Sequence, residues 1–553
     1  MASFILTGIL VSYIGFCDPD TCWHLALGRW IFAHHSLPLT DPFSTNVASF
    51  VKLAPGLPLV QHEWLSDLFF YTCYTIGGPI SLLVLCTICS LVSFLFLPQL
   101  LMSRNNVPAR TSLAVSVLLL FSSAFRLWVR PESFSFLFLS VLTLISDQCL
   151  KTSSRRNLFI LFALTYALFS FWANMHGLFL VGLAYLIGIA LIQALLLLNE
   201  FLPKTGINDG NDQKKTSIDK AQELLLRSSV AVFLALAGTF NTPWTYRLLP
   251  YVLSLLNSPV TSMNKENGAI KLQELSSPSF YPFVFLFVMF AFHLIQKARM
   301  QAQNKFKGLM PATMLGLTSL ITACAFRRLT PLALIVLAAA FARLYYDTKN
   351  NLRPENSIAV PLENNDTISA DKKDAVLTDA CSFAAAMIAC GLSSIFLVQP
   401  SIPSASRLFT PPTKAIEFIA KNPPAGKLLN DSKYGSMMTW TLAKPPDIFI
   451  DGRFDSYERQ LVYDYLNMRF CRGDWQALLR KYNIAWLFLP SDAPAVIKLK
   501  DQHDWKTVYE DSAASILIRN DSKNANEKLF SDLPEGIFGM GFLGTRRQTY
   551  HLY

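Results

Sequence analysis

Charged residues are scarce in this chain. Asp, Glu, Lys and Arg make up 16% of its 553 residues, against roughly 25% in soluble globular proteins. With 52% of the residues hydrophobic, that scarcity argues against a wholly soluble enzyme. A concentrated basic face is also missing: the net charge is +10, but Lys and Arg fall in short clusters between apolar runs. A nucleic-acid binder gathers its basic residues on one surface, so nucleic acid is not the expected partner. Paired cysteine motifs are absent too. Cys86-Thr-Ile-Cys89 has CxxC spacing but lies inside an apolar run with no second pair, which excludes a structural zinc module. No internal repeat stands out, and this weighs against the inverted repeats common in alternating-access carriers.

Long apolar runs are what the chain has instead. Eleven approach the length that spans a bilayer: Phe4–Phe16, Pro79–Leu101, Ser112–Leu127, Ser133–Leu150, Leu158–Ala173, Leu178–Leu198, Ser228–Phe240, Phe280–Ile295, Leu309–Phe326, Leu329–Tyr345 and Ala375–Val398. The first is short and lacks the basic n-region of a signal peptide. One alternate set of connecting loops, with the run ends that flank them, carries nineteen Lys and Arg, the other nine over a greater length. Basic residues are retained on the cytoplasmic side, so the first set is expected inside. The loop 17–66 and everything beyond Val398 then fall outside.

Sorted by that topology, the unusual polar residues gather at one boundary. Polar groups at membrane depth are costly and tend to mark functional cavities, so an outward-facing site is expected. The first outer loop is richest: Cys17-Asp18-Pro19-Asp20-Thr21-Cys22-Trp23-His24, then Thr40-Asp41-Pro42-Phe43-Ser44, then Gln61-His62-Glu63-Trp64-Leu65. A carboxylate at a helix exit can take a proton from an acceptor at headgroup level. Asp18 and Asp20 read equally as caps for a helix over Trp23–His34. Asp41, His62 and Glu63 could join Asp20 around a divalent metal, fix the loop by hydrogen bonds, or touch substrate.

A second constellation is cationic: Arg126 and Arg130 with Glu132, and Arg327 with Arg328. Guanidinium forks match phosphate oxygens and stay charged at any working pH, so these residues suit a lipid phosphate; the alternative is snorkelling to headgroups. Trp172-Ala173-Asn174-Met175-His176-Gly177 and Asn241-Thr242-Pro243-Trp244 place amides and an imidazole at two more helix ends. Beyond Pro400 the pattern changes to short strand-like runs at Lys427–Leu429, Ile448–Asp451, Ala485–Leu489, Thr507–Tyr509 and Ser515–Ile518. These alternate with helical stretches at Thr413–Lys421 and Asp474–Lys481, which predicts a small α/β domain. Asp451-Gly452-Arg453-Phe454-Asp455 follows a strand there, with Arg453 a ligand contact or a partner of Asp455.

Taken together, Asp18-Pro19-Asp20 with Trp23-His24-Leu25, Thr40-Asp41-Pro42-Phe43-Ser44, His62-Glu63-Trp64-Leu65, Arg130-Pro131, Asn174 with His176-Gly177, and Asp451-Gly452-Arg453 resemble a bacterial branch of the GT-C superfamily of membrane glycosyltransferases. The resemblance covers almost the whole chain. It implies a polyprenyl-phosphate sugar donor and a catalytic base in the first outer loop, with Asp20 the first choice and Asp18 the second. His24, Asp41, His62, Glu63, Arg126, Arg130, Asn174, His176, Arg327, Arg328 and Arg453 are the implied substrate contacts. No WWDYG-type motif is present, which disfavours oligosaccharide transfer to asparagine.

The combined expectation is a polytopic α-helical membrane protein. Residues 1–398 form a GT-C-like domain with the large first outer loop 17–66, and residues 399–553 form a small outer α/β domain. Its expected place is a bacterial inner (plasma) membrane, with the C-terminal domain outside. Its expected work is inverting transfer of a sugar from a polyprenyl-phosphate to a lipid, glycan or protein acceptor. No cofactor is required by the pattern, and a divalent metal is compatible with it. The competing expectation is a non-catalytic lipid-phosphate binding or transport protein.

Overall fold

The computed structural model describes residues 18–47, 60–201, 211–256, 268–275, 280–301, 310–351 and 411–520. The chain divides into two compact units, Met1–Asp41 with Ala48–Phe409, and Pro42–Val47 with Thr410–Tyr553. The segment Pro42–Val47 thus leaves the first outer loop, which the sequence placed wholly in the membrane domain, and joins the second unit.

Among the described residues, the first unit is helical. Its helices are α1 (Asp20–His34), α2 (Trp64–Arg104), α3 (Ala109–Ser123), α4 (Glu132–Lys151), α5 (Arg155–Met175), α6 (Phe179–Phe201), α7 (Asn211–Thr239), α8 (Leu248–Leu256), α9 (Tyr281–Gln301), α10 (Met310–Ala325) and α11 (Thr330–Asn351). Eight helical runs among the described residues are long and apolar enough to cross a membrane, and α10 is a shorter apolar helix. Nine of the expected spans coincide with these helices; Phe4–Phe16 and Ala375–Val398 lie outside the described residues. The polar stretch Asn208–Lys220, which reads as a loop, is helical from Asn211 and extends α7.

The span expected from Pro79 begins earlier, at Trp64, because Gly77-Gly78 breaks the helix without ending it. Gly78 has φ +61°, a backbone region open to glycine but costly for other residues. Ser81 Oγ donates across the break to the carbonyls of Cys73 and Gly78, at 2.6 and 2.7 Å. The interior is aromatic: Trp172, Phe94, Phe136, Phe169, Phe179 and Phe341 are fully buried. Ile76, Ile80, Phe159, Phe171 and Phe233 are exposed on the outer faces of the helices, a distribution suited to lipid.

The second unit is the expected α/β domain. Its elements are α12 (Thr413–Lys421), β1 (Lys427–Asn430), α13 (Ser432–Thr441), α14 (Arg459–Phe470), α15 (Trp475–Lys481), β2 (Ile484–Pro490), α16 (Pro494–Lys500), β3 (Trp505–Glu510) and β4 (Ala514–Arg519). Strand order is β1-β2-β4-β3, with β1 parallel to β2 and the other pairs antiparallel. The run Ile-Ala-Trp-Leu-Phe-Leu is apolar throughout because β2 is buried on both faces.

The expected strand Ile448–Asp451 is not one. Its backbone bonds to a side chain and to the inserted segment instead of to a neighbouring strand: Phe449 N–H donates to Asn430 Oδ1 at 3.0 Å, Asn430 Nδ2 donates to Ile450 O at 2.6 Å, and Ile448 N–H donates to Phe43 O at 3.0 Å. Ser44 Oγ donates to Ile448 O at 2.5 Å, and Thr45 binds Asp447 through both its amide and its hydroxyl. Asn430→Ala leaves two buried backbone groups without partners, at about 2 kcal/mol or more in total. Hydrogen exchange across Ile448–Asp451 should accelerate roughly 30-fold in that variant. Unchanged protection would mean that the Asn430 bracket does not hold the segment.

Candidate functional site

Pro19 fixes the start of α1 with φ −60° and places Asp20 in its first turn, where the helix dipole favours a carboxylate. Asp18 Oδ1 accepts the Asp20 N–H at 3.2 Å, so the local capping bond belongs to Asp18. Both acids converge on one guanidinium. Arg130 donates through Nε to Asp18 Oδ2 and through Nη2 to Asp18 Oδ1 at 3.0 Å, and the same Nη2 lies 2.8 Å from Asp20 Oδ2. Trp128 covers that guanidinium, with its ring centroid 4.6 Å from Cζ. Thr21 Oγ1 donates to Val129 O at 2.9 Å and ties the start of α1 to the same loop. The two acids differ in access: the Asp18 side chain is 2% exposed and that of Asp20 is 27% exposed.

A second charged group adjoins the first. Arg126 Nη2 donates to both oxygens of Glu132, at 2.7 and 2.5 Å, and the pair is buried. Arg328 Nε reaches the same carboxylate at 2.8 Å while about a third of its side chain stays exposed. Arg327 pairs with Glu274 at 3.0 Å and lies over the rings of Phe125 and Phe280. The four arginines expected to meet phosphate are therefore all engaged by carboxylates. Arg327 and Arg328 keep the greater exposure.

Between these groups lie Glu63, His62 and His176. Glu63 Oε1 is 3.3 Å from His176 Nε2 and 3.6 Å from His62 Nε2. Trp172 Nε1 donates to Ser135 Oγ at 2.8 Å, and Ser135 Oγ lies 2.9 Å from His176 Nδ1. An indole only donates, so Ser135 Oγ accepts from Trp172, and His176 stands between that hydroxyl and the Glu63 carboxyl. Gly182 makes the arrangement possible, because a Cβ there would come within 2.5 Å of the Trp172 ring. Burial pushes the Glu63 carboxyl up to about 8, against the pull of Arg328. Burial likewise lowers His62 to about 4, and lowers His176 to about 3 despite the opposing Glu132 charge. Glu63 senses Arg328, Glu132, Arg130 and Asp20 together, so the acidic pair, the arginines and the histidines form one electrostatic unit.

Other residues singled out from the sequence have different settings. His24 is buried in the packing of α1 on α2, with Nδ1 2.6 Å from Asp67 Oδ1. Asn174 brackets three elements: Oδ1 accepts from Trp64 Nε1 at 2.8 Å, and Nδ2 donates to Ser170 O and to Asn241 O. Asp41 is half-buried where the chain passes into Pro42–Val47. Arg453 lies in the second unit, buried, and pairs with Asp451 at 2.5 Å; the Asp455 side chain, its other expected partner, lies outside the described residues. Sequence reasoning passed over Asp67, Trp128 and Ser135. Asp67 had a signal, a lone acid in the first turn of an apolar helix; Ser135 had none, being one of several serines along α4.

Among the described residues, no three His, Cys, Asp or Glu side chains are grouped so as to hold a metal ion. No protein-family model matches the chain. No curated protein matches it either. Among solved structures, the oligosaccharyltransferase of Archaeoglobus fulgidus, tethered by a disulfide to an acceptor peptide containing the NVT sequon, aligns with a TM-score of 0.51 and 11% identity, over 88% of this chain and 68% of that one. The likeness is one of fold. With its apolar helices, the chain is an integral membrane protein.

The buried titratable groups set a pH signature. His62 and His176 stay neutral in the folded chain, so the unfolded state alone takes up protons below 6.5, and stability falls as pH drops from 6.5 toward 4. Glu63 acts oppositely: protonated up to about 8 when folded and ionised above 4.5 when unfolded, it loses its contribution as pH rises between those values. Denaturant unfolding should therefore show stability declining from pH 6.5 to 8 in the wild type. Glu63→Gln should flatten that decline and keep the loss on the acid side. An identical alkaline limb in the variant would remove Glu63 as its source.

Proposed function

We propose that this chain is a membrane glycosyltransferase. It moves a sugar from a polyprenyl-phosphate donor to a lipid, glycan or protein acceptor on the outer face of a bacterial plasma membrane, and its C-terminal domain lies on that face. The observation that carries the reading is the asymmetry of the acidic pair, with one carboxylate buried in a guanidinium fork and the other, beside it, on a side chain that is 27% exposed. The fold likeness to an enzyme captured with its acceptor peptide supports it.

In this reading Asp20 is the base. Its carboxylate accepts the acceptor hydroxyl proton as the acceptor oxygen forms a bond to the anomeric carbon. The bond from that carbon to the phosphate oxygen breaks on the opposite face, so configuration inverts in one displacement. The lipid phosphate leaves as an anion, and Arg328 and Arg327, with about a third of each side chain exposed, meet the growing charge. Arg126 is too deeply bound to Glu132 for that task and holds the carboxylate that orients Arg328. Asp18 positions Arg130 and, through it, Asp20. Glu63, His62 and His176 supply neutral hydrogen-bonding groups beside the reacting centre.

The test is mass spectrometry of detergent-solubilised protein incubated with a panel of polyprenyl-phosphate sugars. Asp20→Asn should slow donor consumption by about 10²- to 10⁴-fold, the usual worth of a positioned base. Asp18→Asn should slow it less, since it weakens the support of Arg130 and leaves Asp20 ionised. Wild-type turnover in Asp20→Asn overturns the assignment of the base. Retention of the lipid with no turnover by the wild type would favour a non-catalytic lipid-phosphate binding protein.

A further inference from the structure

Two carboxylates separated by a proline at the entrance to a site would ordinarily be expected to gather a hard divalent cation, because paired carboxylate oxygens repel one another and need a counter-charge. Here that counter-charge is already part of the chain. Arg130 takes both oxygens of Asp18 through Nε and Nη2 and reaches Oδ2 of Asp20 through Nη2 at 2.8 Å. The guanidinium stands where a metal bridging Asp18 and Asp20 would have to sit, and Trp128 covers its face at 4.6 Å. No further His, Cys, Asp or Glu among the described residues completes a metal set with the pair. Of the other acids in this cluster, Glu63 faces His176 and His62, and Glu132 is held by Arg126 and Arg328. A divalent ion at the pair would lose the carboxylate oxygens that Arg130 holds and would be repelled by its charge. These residues therefore do not fit a metal.

We infer that Arg130 is the resident cation of the acidic pair and works in place of a divalent metal. The pair becomes a metal site only when that guanidinium is removed. Three consequences follow from the chemistry of the group. Its charge persists across the working pH range. It cannot be removed by a chelator. Its planar fork fixes the two carboxylates relative to each other, which holds the partly exposed Asp20 side chain in a set direction. The role of this arrangement in sugar transfer rests on the function proposed above, whereas its exclusion of metal does not.

The experiment therefore reads metal directly. Chelator-treated full-length protein in detergent is titrated with Mn²⁺, with uptake followed by electron paramagnetic resonance and by quenching of tryptophan fluorescence, to which Trp23 and Trp128 contribute. Wild type and Arg130→Lys, which keeps a cation, should show no uptake that depends on Asp18 or Asp20. Arg130→Ser should bind Mn²⁺ at least roughly tenfold more tightly than wild type, because it exposes two uncompensated carboxylates. That gain should vanish in the Arg130→Ser, Asp18→Asn double variant. Wild-type uptake of Mn²⁺ that Asp18→Asn or Asp20→Asn abolishes would overturn the inference, as would folded Arg130→Ser that gains no affinity. The wild-type titration decides the matter even where Arg130→Ser does not fold. Donor turnover, where observed, should be unchanged by chelator, and its loss with rescue by Mn²⁺ would count against Arg130. A chain that turns over no donor at all would defeat the proposed function and leave the metal readout standing.

Discussion

The polar end of the first unit, where the acidic pair lies, depends on one bidentate contact. Arg130 comes from the turn before α4, and Asp18 and Asp20 come from the start of α1. The guanidinium joins two segments more than a hundred residues apart in sequence and neutralises a carboxylate that is almost fully buried. Burying either charge alone would be strongly unfavourable, and removing one partner would strand the other. The fork therefore sets where the exposed acid stands, and the neighbouring groups are arranged around it. Glu132 receives Arg126 and Arg328 on the next turn of chain, and Glu63 lies within the field of both clusters.

Much of this is legible in the sequence because hydrophobicity and charge leave long, simple patterns. Apolar runs of spanning length account for nine of the helices, and a residue such as Arg328, placed at the end of a run, is assigned to a boundary by its position in the pattern alone. The acidic loop is conspicuous for the same reason. What the pattern does not carry is pairing. Asp18 and Asp20 are chemically alike and two residues apart, and only the approach of Arg130 distinguishes them. His24 looks like a site residue until Asp67, on the next helix, is seen to take its Nδ1. Ser135 is invisible in the sequence because its role depends on an indole and an imidazole brought from the end of α5.

The second unit shows the complementary failure. Ile448–Asp451 has a strand's composition, but whether an extended segment joins a sheet depends on an available edge, which local sequence does not encode. The Asn430 side chain binds the backbone on both sides of Phe449, and the segment from the first loop supplies the remaining bonds. Arg453 follows the same lesson at shorter range. Asp451, two residues earlier, is brought to the guanidinium by the backbone turn.

The membership of Pro42–Val47 in the second unit has a consequence for how the chain is made. Phe43 and Ser44 are synthesised about four hundred residues before Ile448, their backbone partner. At a translation rate of about 5–20 residues per second, they wait roughly 20–80 s for it to exist. Throughout that interval the helices of the first unit are being made and can pack while the six-residue segment stays unpaired. The second unit consequently cannot be finished as a self-contained C-terminal module. Its completion is a late closure of a very long loop, which waits until Ile448 has been made.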